Sequence, residues 1–190
     1  MKPASEPFSF HRGSPALDFI GTVGFRASAE PVERLPDAAA AARWFVAAGL
    51  APEGSEMRVS RAGLSRTIAL REALARAGNA IVDGAEPAAA DVASVNAAAA
   101  DLALGVPYLD AGGAQRWKTK HPLRFALARL AADAIAIFSA ERARLTRCAL
   151  DDCGALLLSR ARNEPRRWCS METCGNRAKV AAFRARKKRT

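Results

Sequence analysis

The spacing of apolar residues along the chain predicts a mainly α-helical protein. From about residue 60 to residue 82, apolar residues recur every three or four positions, and arginine and glutamate lie between them. This spacing is typical of an amphipathic helix that turns one face to a core and the charged face to solvent. The residues predicted to be buried on this helix are Leu70, Leu74, Ala77 and Ile81.

Three further segments have helical patterns. Asp37 is placed to cap a helix that ends at Gly49, and residues 88–104 predict another helix after the breaking sequence DGAEP. A long helix is predicted from about Pro122 to Thr146. Its expected buried face carries Leu123, Leu127, Leu130, Ala134, Ile137 and Leu145.

Two stretches predict minor β structure within the helical region. Residues 16–25, ALDFIGTVGF, are strand-like and are surrounded by prolines and glycines. Residues 106–118 predict a short hairpin in which Gly112 and Gly113 supply the turn.

All four cysteines lie in the last quarter of the chain, in two C-x4-C pairs separated by fifteen residues. Two equal pairs around a short spacer are typical of a tetrathiolate zinc site, because zinc takes four soft ligands in a tetrahedron. The predicted ligands of one structural zinc ion are Cys148, Cys153, Cys169 and Cys174.

A disulfide role and a redox role are the alternatives to zinc. The first residues show no secretory signal, and no uncharged run approaches the length of a membrane span, so we expect a cytoplasmic protein without membrane contact. Disulfides are rare in that compartment, and catalytic thiols favour C-x-x-C or a lone cysteine. The pattern therefore favours zinc.

The order of elements around the cysteines predicts a treble-clef-like module. Residues 154–159 are predicted to form a strand, residues 160–165 a turn, and residues 166–168 the return strand. A helix is predicted after Cys174, with Val180 and Phe183 pointing inward. Since no linker precedes Cys148, we expect the module to pack on the helical domain.

The positive charge of the protein is concentrated in this module. The whole chain has a formal net charge of +10, but residues 1–140 contribute +1 and residues 141–190 contribute +9. Residues 175–190 contain seven Lys or Arg and no acid. A rigid basic module suits a phosphate backbone, which releases counterions on binding.

The charge pattern predicts binding to nucleic acid without distinguishing DNA from RNA, and a double-stranded DNA partner is the interpretation that we prefer. An RNA-binding or ribosome-associated module is the first alternative, and a protein-interaction scaffold with purely structural zinc is the second. The residues predicted to contact nucleic acid are Arg166, Arg167, Asn176, Arg177, Lys179, Arg184, Arg186, Lys187 and Lys188.

The sequence RRWCSMETCGNRAKV, preceded by the first C-x4-C pair, resembles the CGNR zinc finger, named for residues 174–177. The preceding region resembles the ABATE domain that accompanies this finger in bacteria. Its marks are LDFIGTVGFR, IALREAL, ASVNAAAADL and Trp117. The resemblance implies a stress-induced transcription regulator whose finger binds DNA, with zinc on the four cysteines. Two departures stand out: Leu157 replaces an aromatic residue, and Gly21 replaces an asparagine.

These observations together predict an ABATE-like helical domain over residues 1–146 and a CGNR-type finger over residues 147–190. The fold class is mainly α with minor β. The helical domain is expected to be a candidate ligand sensor, and a homodimer is a further option although no coiled-coil heptads are visible. With two histidines and no phosphate-binding glycine loop, no enzyme is predicted. The candidate pocket residues are His11, Asp18, Arg26 and Trp117.

Overall fold

The computed structural model of the protein describes residues 8–52, 56–159 and 166–187. This part of the chain contains six α-helices and three two-stranded antiparallel sheets, which confirms the mainly α class with minor β. The helices are α1 Pro15–Ile20, α2 Ala38–Ala47, α3 Arg61–Val82, α4 Ala89–Ala100, α5 Pro122–Ala140 and α6 Asn176–Lys187. The sheets pair β1 Val23–Gly24 with β2 Val32–Glu33, β3 Val106–Leu109 with β4 Gln115–Lys118, and β5 Leu145–Arg147 with β6 Leu156–Leu158.

The predicted helix starts are confirmed where a side chain caps the first turn. Asp37 accepts a hydrogen bond from the backbone amide of Ala40 at 2.7 Å at the start of α2. Gly49 follows this helix with a positive φ of 66°, a conformation that glycine adopts without strain. Ser60 caps α3 in the same way as Asp37 caps α2. The side-chain oxygens satisfy amides that the helix itself cannot bond.

The prediction of a strand over residues 16–25 is wrong for its first half. Residues 15–20 form α1, because the Ser14 hydroxyl accepts from the amide of Leu17 at 3.2 Å and Pro15 favours the first helical position. The helix is almost entirely buried, so its apolar residues do not show the one-sided pattern of a surface helix. Only Val23–Gly24 forms a strand.

The predicted end of the long helix is also wrong. Helix α5 ends at Ala140, and Leu145 lies instead on β5, where it pairs with Leu158 of β6. The backbone of residues 145–147 bonds to this strand and is not available for helical hydrogen bonds. Leu145 is buried as predicted, but it is buried from a strand.

A single large core joins the helices to the hairpin β5–β6. Helices α1, α3 and α5 pack together in this core, and Phe19 of α1 contacts Trp44 of α2 at a ring-centroid distance of 5.1 Å. Leu145, Leu156 and Leu158 of the hairpin belong to the same core. The expected packing of the cysteine-bearing module on the helical domain therefore takes place through this hairpin.

Arg71 differs from the expectation that the arginines of α3 face solvent. Its side chain is only 2 % exposed and donates to Glu33 at 2.6 and 2.7 Å, with a further bond to Thr22 at 3.1 Å. Burial raises the pKa of Glu33, but the bonds from Arg71 outweigh it and leave that pKa lowered. The pair ties α3 to the β1–β2 segment. None of the described helices is long and apolar enough to cross a membrane.

Candidate metal centre and basic helix

The four cysteines come together in one buried cluster. Their sulfur atoms all lie within 4.8 Å of one another, and none is in a disulfide. The Sγ atoms of Cys153 and Cys169 are 3.5 Å apart, and those of Cys169 and Cys174 are 3.3 Å apart. Four sulfurs bound to zinc at about 2.3 Å lie about 3.8 Å apart at the corners of a tetrahedron. The cluster therefore fits a tetrahedral ion of this size.

The first cysteine pair is held by a tight turn at the end of the hairpin. Cys148 follows β5, and its amide donates to the carbonyl of Ala155 at 2.8 Å. The amide of Cys153 donates to the carbonyl of Leu150 at 2.9 Å, and Gly154 continues with a φ of 63°. The knuckle predicted between the two cysteines is thus present as the loop between β5 and β6.

The strand predicted over residues 154–159 is present as β6, but its predicted partner is wrong. β6 pairs with β5 on the near side of the knuckle, and residues 166–168 do not form a strand. The connection through Cys148 to Cys153 is short enough to make β5 and β6 antiparallel neighbours. The predicted turn over residues 160–165 lies outside the described residues.

The second cysteine pair sits on a wide helical turn that leads into α6. Residues Met171–Gly175 form one turn of π-helix, and the Ser170 hydroxyl accepts from the amide of Thr173 at 3.3 Å at its start. A Cβ atom on Gly175 would lie 2.9 Å from the sulfur of Met171. Glycine here allows the turn to close, so that Cys174 enters the cluster immediately before α6.

The protonation of the thiols follows their surroundings. Hydrogen bonds from the thiols of Cys153 and Cys169 lower the pKa of Cys148. Burial raises the pKa of the Cys174 thiol to about 12. A metal bound as a tetrathiolate must displace the thiol protons, because the thiolate is the ligand form of cysteine.

Backbone hydrogen bonds connect the cluster to the helical domain. The amide of Arg26 donates to the carbonyl of Cys153 at 3.0 Å, and the amide of Leu158 donates to the carbonyl of Arg12 at 2.9 Å. On the other side, Arg147 of β5 donates to both carboxylate oxygens of Asp83 at 3.0 Å. The first cysteine pair is therefore fixed to the domain on two sides.

Arg177, in the signature run, reaches back to the loop of the first cysteine pair, although its side chain is 47 % exposed. Its guanidinium bonds the carboxylate of Asp152 at 2.6 and 3.3 Å and lies 5.0 Å from the ring centre of Phe25. Phe25 has a positive φ of 48°, uncommon for a bulky residue, and this backbone turns the ring toward the finger. Asn176 donates from its amide to the carbonyl of Glu172 at 3.0 Å.

Arg166 is also engaged within the finger. It donates to the carbonyl of Trp168 at 2.9 Å, to that of Cys169 at 2.5 Å, and to that of His11. Arg167 is exposed, and its guanidinium lies 5.1 Å from the ring centre of Trp168. Sequence spacing gave no signal that one arginine of this pair would be internal.

Helix α6 extends away from the rest of the finger. Its cations Lys179, Arg184, Arg186 and Lys187 are all exposed, and Lys188 lies outside the described residues. The prediction that Val180 and Phe183 point inward is wrong, since they are 47 % and 60 % exposed. The helix packs mainly on the turn before it. Helical spacing shows that two residues share a face, but it does not show what that face meets.

The four candidate pocket residues do not form one site. His11 and Asp18 line a cavity of about 520 Å³. Arg26 instead binds Glu72, and Trp117 packs on Phe125 with ring centres 5.2 Å apart.

Asp18 is explained by its neighbours rather than by a ligand. It accepts a hydrogen bond from the amide of Arg12 at 2.8 Å, and burial raises its pKa. The guanidinium of Arg12 fills the space beside Gly21, where a Cβ would lie 2.2 Å from its central carbon. Glycine in place of the family's asparagine thus makes room for Arg12.

Comparison with protein families accounts for nearly the whole chain. The ABATE family model, described as "Putative stress-induced transcription regulator", matches residues 13–141, and the CGNR zinc finger model matches residues 144–187. No curated protein matches the chain. Both matched families are of regulator or zinc-finger type rather than enzymes. The cysteine cluster lies within the matched finger and is the site of one structural zinc ion. The chain belongs to the ABATE family and carries a C-terminal CGNR zinc finger.

Proposed function

We propose that this protein is a zinc-dependent DNA-binding transcription regulator whose helix α6 contacts the phosphate backbone of duplex DNA. The observation that carries the proposal is the exposure of four cations, Lys179, Arg184, Arg186 and Lys187, on a helix that begins two residues after the last cysteine of the zinc cluster. The family match to a transcription regulator supports the same function.

Zinc supplies the rigidity that such a helix needs. An isolated helix of twelve residues is marginal in water, and α6 packs mainly on the turn that holds Cys174. The metal fixes that turn to the hairpin through the other three cysteines. The cations are then presented at defined positions, which lowers the ordering cost of binding.

The two arginines that bond within the finger have a different role in this proposal. Arg177 and Arg166 hold parts of the finger together through Asp152 and through backbone carbonyls. We assign them to positioning α6 and the second cysteine pair. Phosphate contacts belong to the exposed cations of α6 and to Arg167.

The remaining features of the proposal follow from the same chemistry. A cytoplasmic location would keep the thiols reduced and available to zinc, and would give access to DNA. No catalytic role is proposed. No ligand is assigned to His11, Asp18, Arg26 and Trp117.

The proposal is tested by fluorescence anisotropy of the zinc-loaded protein with a labelled duplex at several salt concentrations. Wild type should show a log–log salt slope of several units, since each neutralised phosphate contributes about 0.9. The variant Lys179→Ala/Lys187→Ala should weaken binding and lower the slope by about 1.8.

The matched control is Arg43→Ala/Arg66→Ala, which removes two exposed cations from the helical domain. It has the same net charge as the test variant and should bind like wild type. Equal loss in both variants would mean that general charge, not α6, drives binding, and the proposal would fail. If structured RNA competed for the protein better than duplex DNA does, RNA and not DNA would be the proposed ligand.

A further inference from the structure

The outer face of α6 carries large apolar side chains among its cations. Taking about 100° per residue, Phe183 lies at the centre of an arc of about 120°. Lys179 and Arg186 lie on one side of it, and Val180 and Lys187 lie on the other. The side chains of Phe183 and Val180 are 60 % and 47 % exposed. A helix face of this kind suits a binding partner that offers both anionic groups and apolar surface.

The opposite side of the helix is different in character. Ala178, Ala181 and Ala182 lie there, of which Ala178 is half-buried and the other two are exposed. The face with Phe183 is therefore the one that offers both charge and large apolar side chains to a partner. This face is about 18 Å long, because α6 has twelve residues and each adds 1.5 Å.

The interleaving of charge and apolar groups decides between partners. A helix that lies on a membrane needs a continuous apolar face, with its cations on the other side. Here the cations flank Phe183 within the same arc, so no continuous apolar face exists. A second copy of α6 would bring cations against cations. A nucleic-acid groove suits the arrangement, because its walls are phosphate and its floor is made of base edges.

In the major groove, the methyl group of thymine is the apolar feature that side chains contact. We propose that α6 enters the major groove and that Phe183 reads thymine methyl groups, while Lys179, Arg186 and Lys187 bind the phosphates on either side. The inference rests on the proposed DNA-binding function and adds a specificity to it. The expected target site contains A·T pairs at the positions beneath Phe183.

The test uses the full-length zinc-loaded protein and duplexes enriched by repeated selection from a random pool. The best duplex is then prepared with deoxyuridine in place of single thymines, which removes only the methyl group. For wild type, we expect about a fourfold loss of affinity at each thymine that is read, the value for burying one methyl group. Phe183→Ala should bind the thymine and uracil duplexes equally, with an unchanged salt slope.

Two control variants separate methyl recognition by Phe183 from a general loss of apolar surface and from a loss of charge on α6. Leu109→Ala removes an exposed apolar side chain from β3 and should keep the thymine preference. Lys179→Ala should lower the salt slope but keep the preference. Because Phe183 is mostly exposed and alanine favours helices, Phe183→Ala should retain the helical circular-dichroism signal of wild type.

The possible results are distinct. DNA binding without an enriched motif, or with equal affinity for thymine and uracil duplexes, would overturn the methyl-reading inference and leave the proposed function standing. A preference that persists in Phe183→Ala would also overturn it. Absence of binding to any duplex would overturn the proposed function itself, and the inference with it.

Discussion

The two halves of the zinc finger are held in place by different forces. The hairpin β5–β6 is part of the main core, where Leu145, Leu156 and Leu158 are all buried. The half that follows, from Met171 through α6, is exposed along nearly its whole length apart from Cys174 and Gly175. Apolar burial therefore stabilises the first half, whereas the metal and the contacts of Arg166 and Arg177 stabilise the second.

This difference indicates how the finger is suited to its proposed role. We expect the first cysteine pair to belong to a base that the helical domain builds with or without metal. The second pair places a basic helix on that base, and four metal–sulfur bonds make the connection. The most informative experiments perturb one half of the finger and measure the stability of both halves.

Removal of zinc should have the largest effect, and it should act on one half only. We expect backbone amides of residues 171–187 to lose their protection against hydrogen exchange, since structural zinc contributes on the order of 10 kcal/mol or more to folding. The amide of Leu158, which donates to Arg12 in the core, should stay protected. Hydrogen exchange with mass spectrometry, with and without a chelator, measures both regions in one experiment.

Readdition of zinc is the control, and Cys174→Ser should reproduce the effect of the chelator. If the amides of β5 and β6 lost protection together with α6, the two halves would form one cooperative unit. The distinction between a core-held half and a metal-held half would then be wrong.

Leu156→Ala should have the next largest effect, and it should act on the helical domain. The side chain is 1 % exposed and lies against Gly78 of α3, where a Cβ would come within 2.6 Å of its Cδ1 atom. Truncation of such a residue costs about 2–5 kcal/mol of unfolding free energy. Thermal and urea denaturation of the zinc-loaded protein measure this loss.

Phe183→Ala is the matched variant in the other half, and it removes a larger side chain. Because Phe183 is mostly exposed, its truncation should change the unfolding free energy by no more than about 0.5 kcal/mol. A comparable loss in both variants would show that α6 packs on a surface in solution, contrary to the comparison.

The sequence was sufficient for the parts of the fold that local chemistry determines. Asp37 predicted the start of α2, because a capping side chain and the helix behind it are neighbours in the chain. The paired cysteines predicted the metal cluster for a similar reason, since each pair forms within one turn. The residues between these signals were placed correctly where one face is buried, as on α3.

The errors arose where burial or a distant partner decides the structure. Helix α1 was predicted as a strand because burial on all sides removes the helical period from its sequence. The pairing of β6 with residues 166–168 was predicted because those residues follow β6 along the chain. Proximity in sequence did not show that β5, which precedes the knuckle, is the strand that pairs with β6. Phe183 is exposed although it was predicted to point inward, and Arg177 bonds Asp152, because neither the surroundings of α6 nor the reach to Asp152 is visible in residue spacing.

Arg177→Ala should have a moderate effect, because its ion pair spans the two halves. The pair with Asp152 is substantially exposed and therefore screened by solvent, so its contribution is small, and the contact with Phe25 adds to it. DNA affinity should fall less than tenfold, with an unchanged salt slope. Lys179→Ala should instead lower the slope by about 0.9. If Arg177→Ala lowered the salt slope, Arg177 would be a phosphate contact. Its assigned role as a link between the two halves of the finger would then be wrong.

Arg147→Ala should have the smallest effect, although its side chain also anchors the first half. Its guanidinium bonds Asp83 and Asn79 at the end of α3, but the ion pair is substantially exposed and therefore contributes about 0.5 kcal/mol. A double-mutant cycle with Asp83→Ala measures the coupling by urea denaturation. If the coupling exceeded about 2 kcal/mol, the hairpin would depend on this polar anchor as much as on its leucines. A small coupling energy would mean that apolar burial is the main force that holds the hairpin β5–β6, and with it the first cysteine pair, on the helical domain.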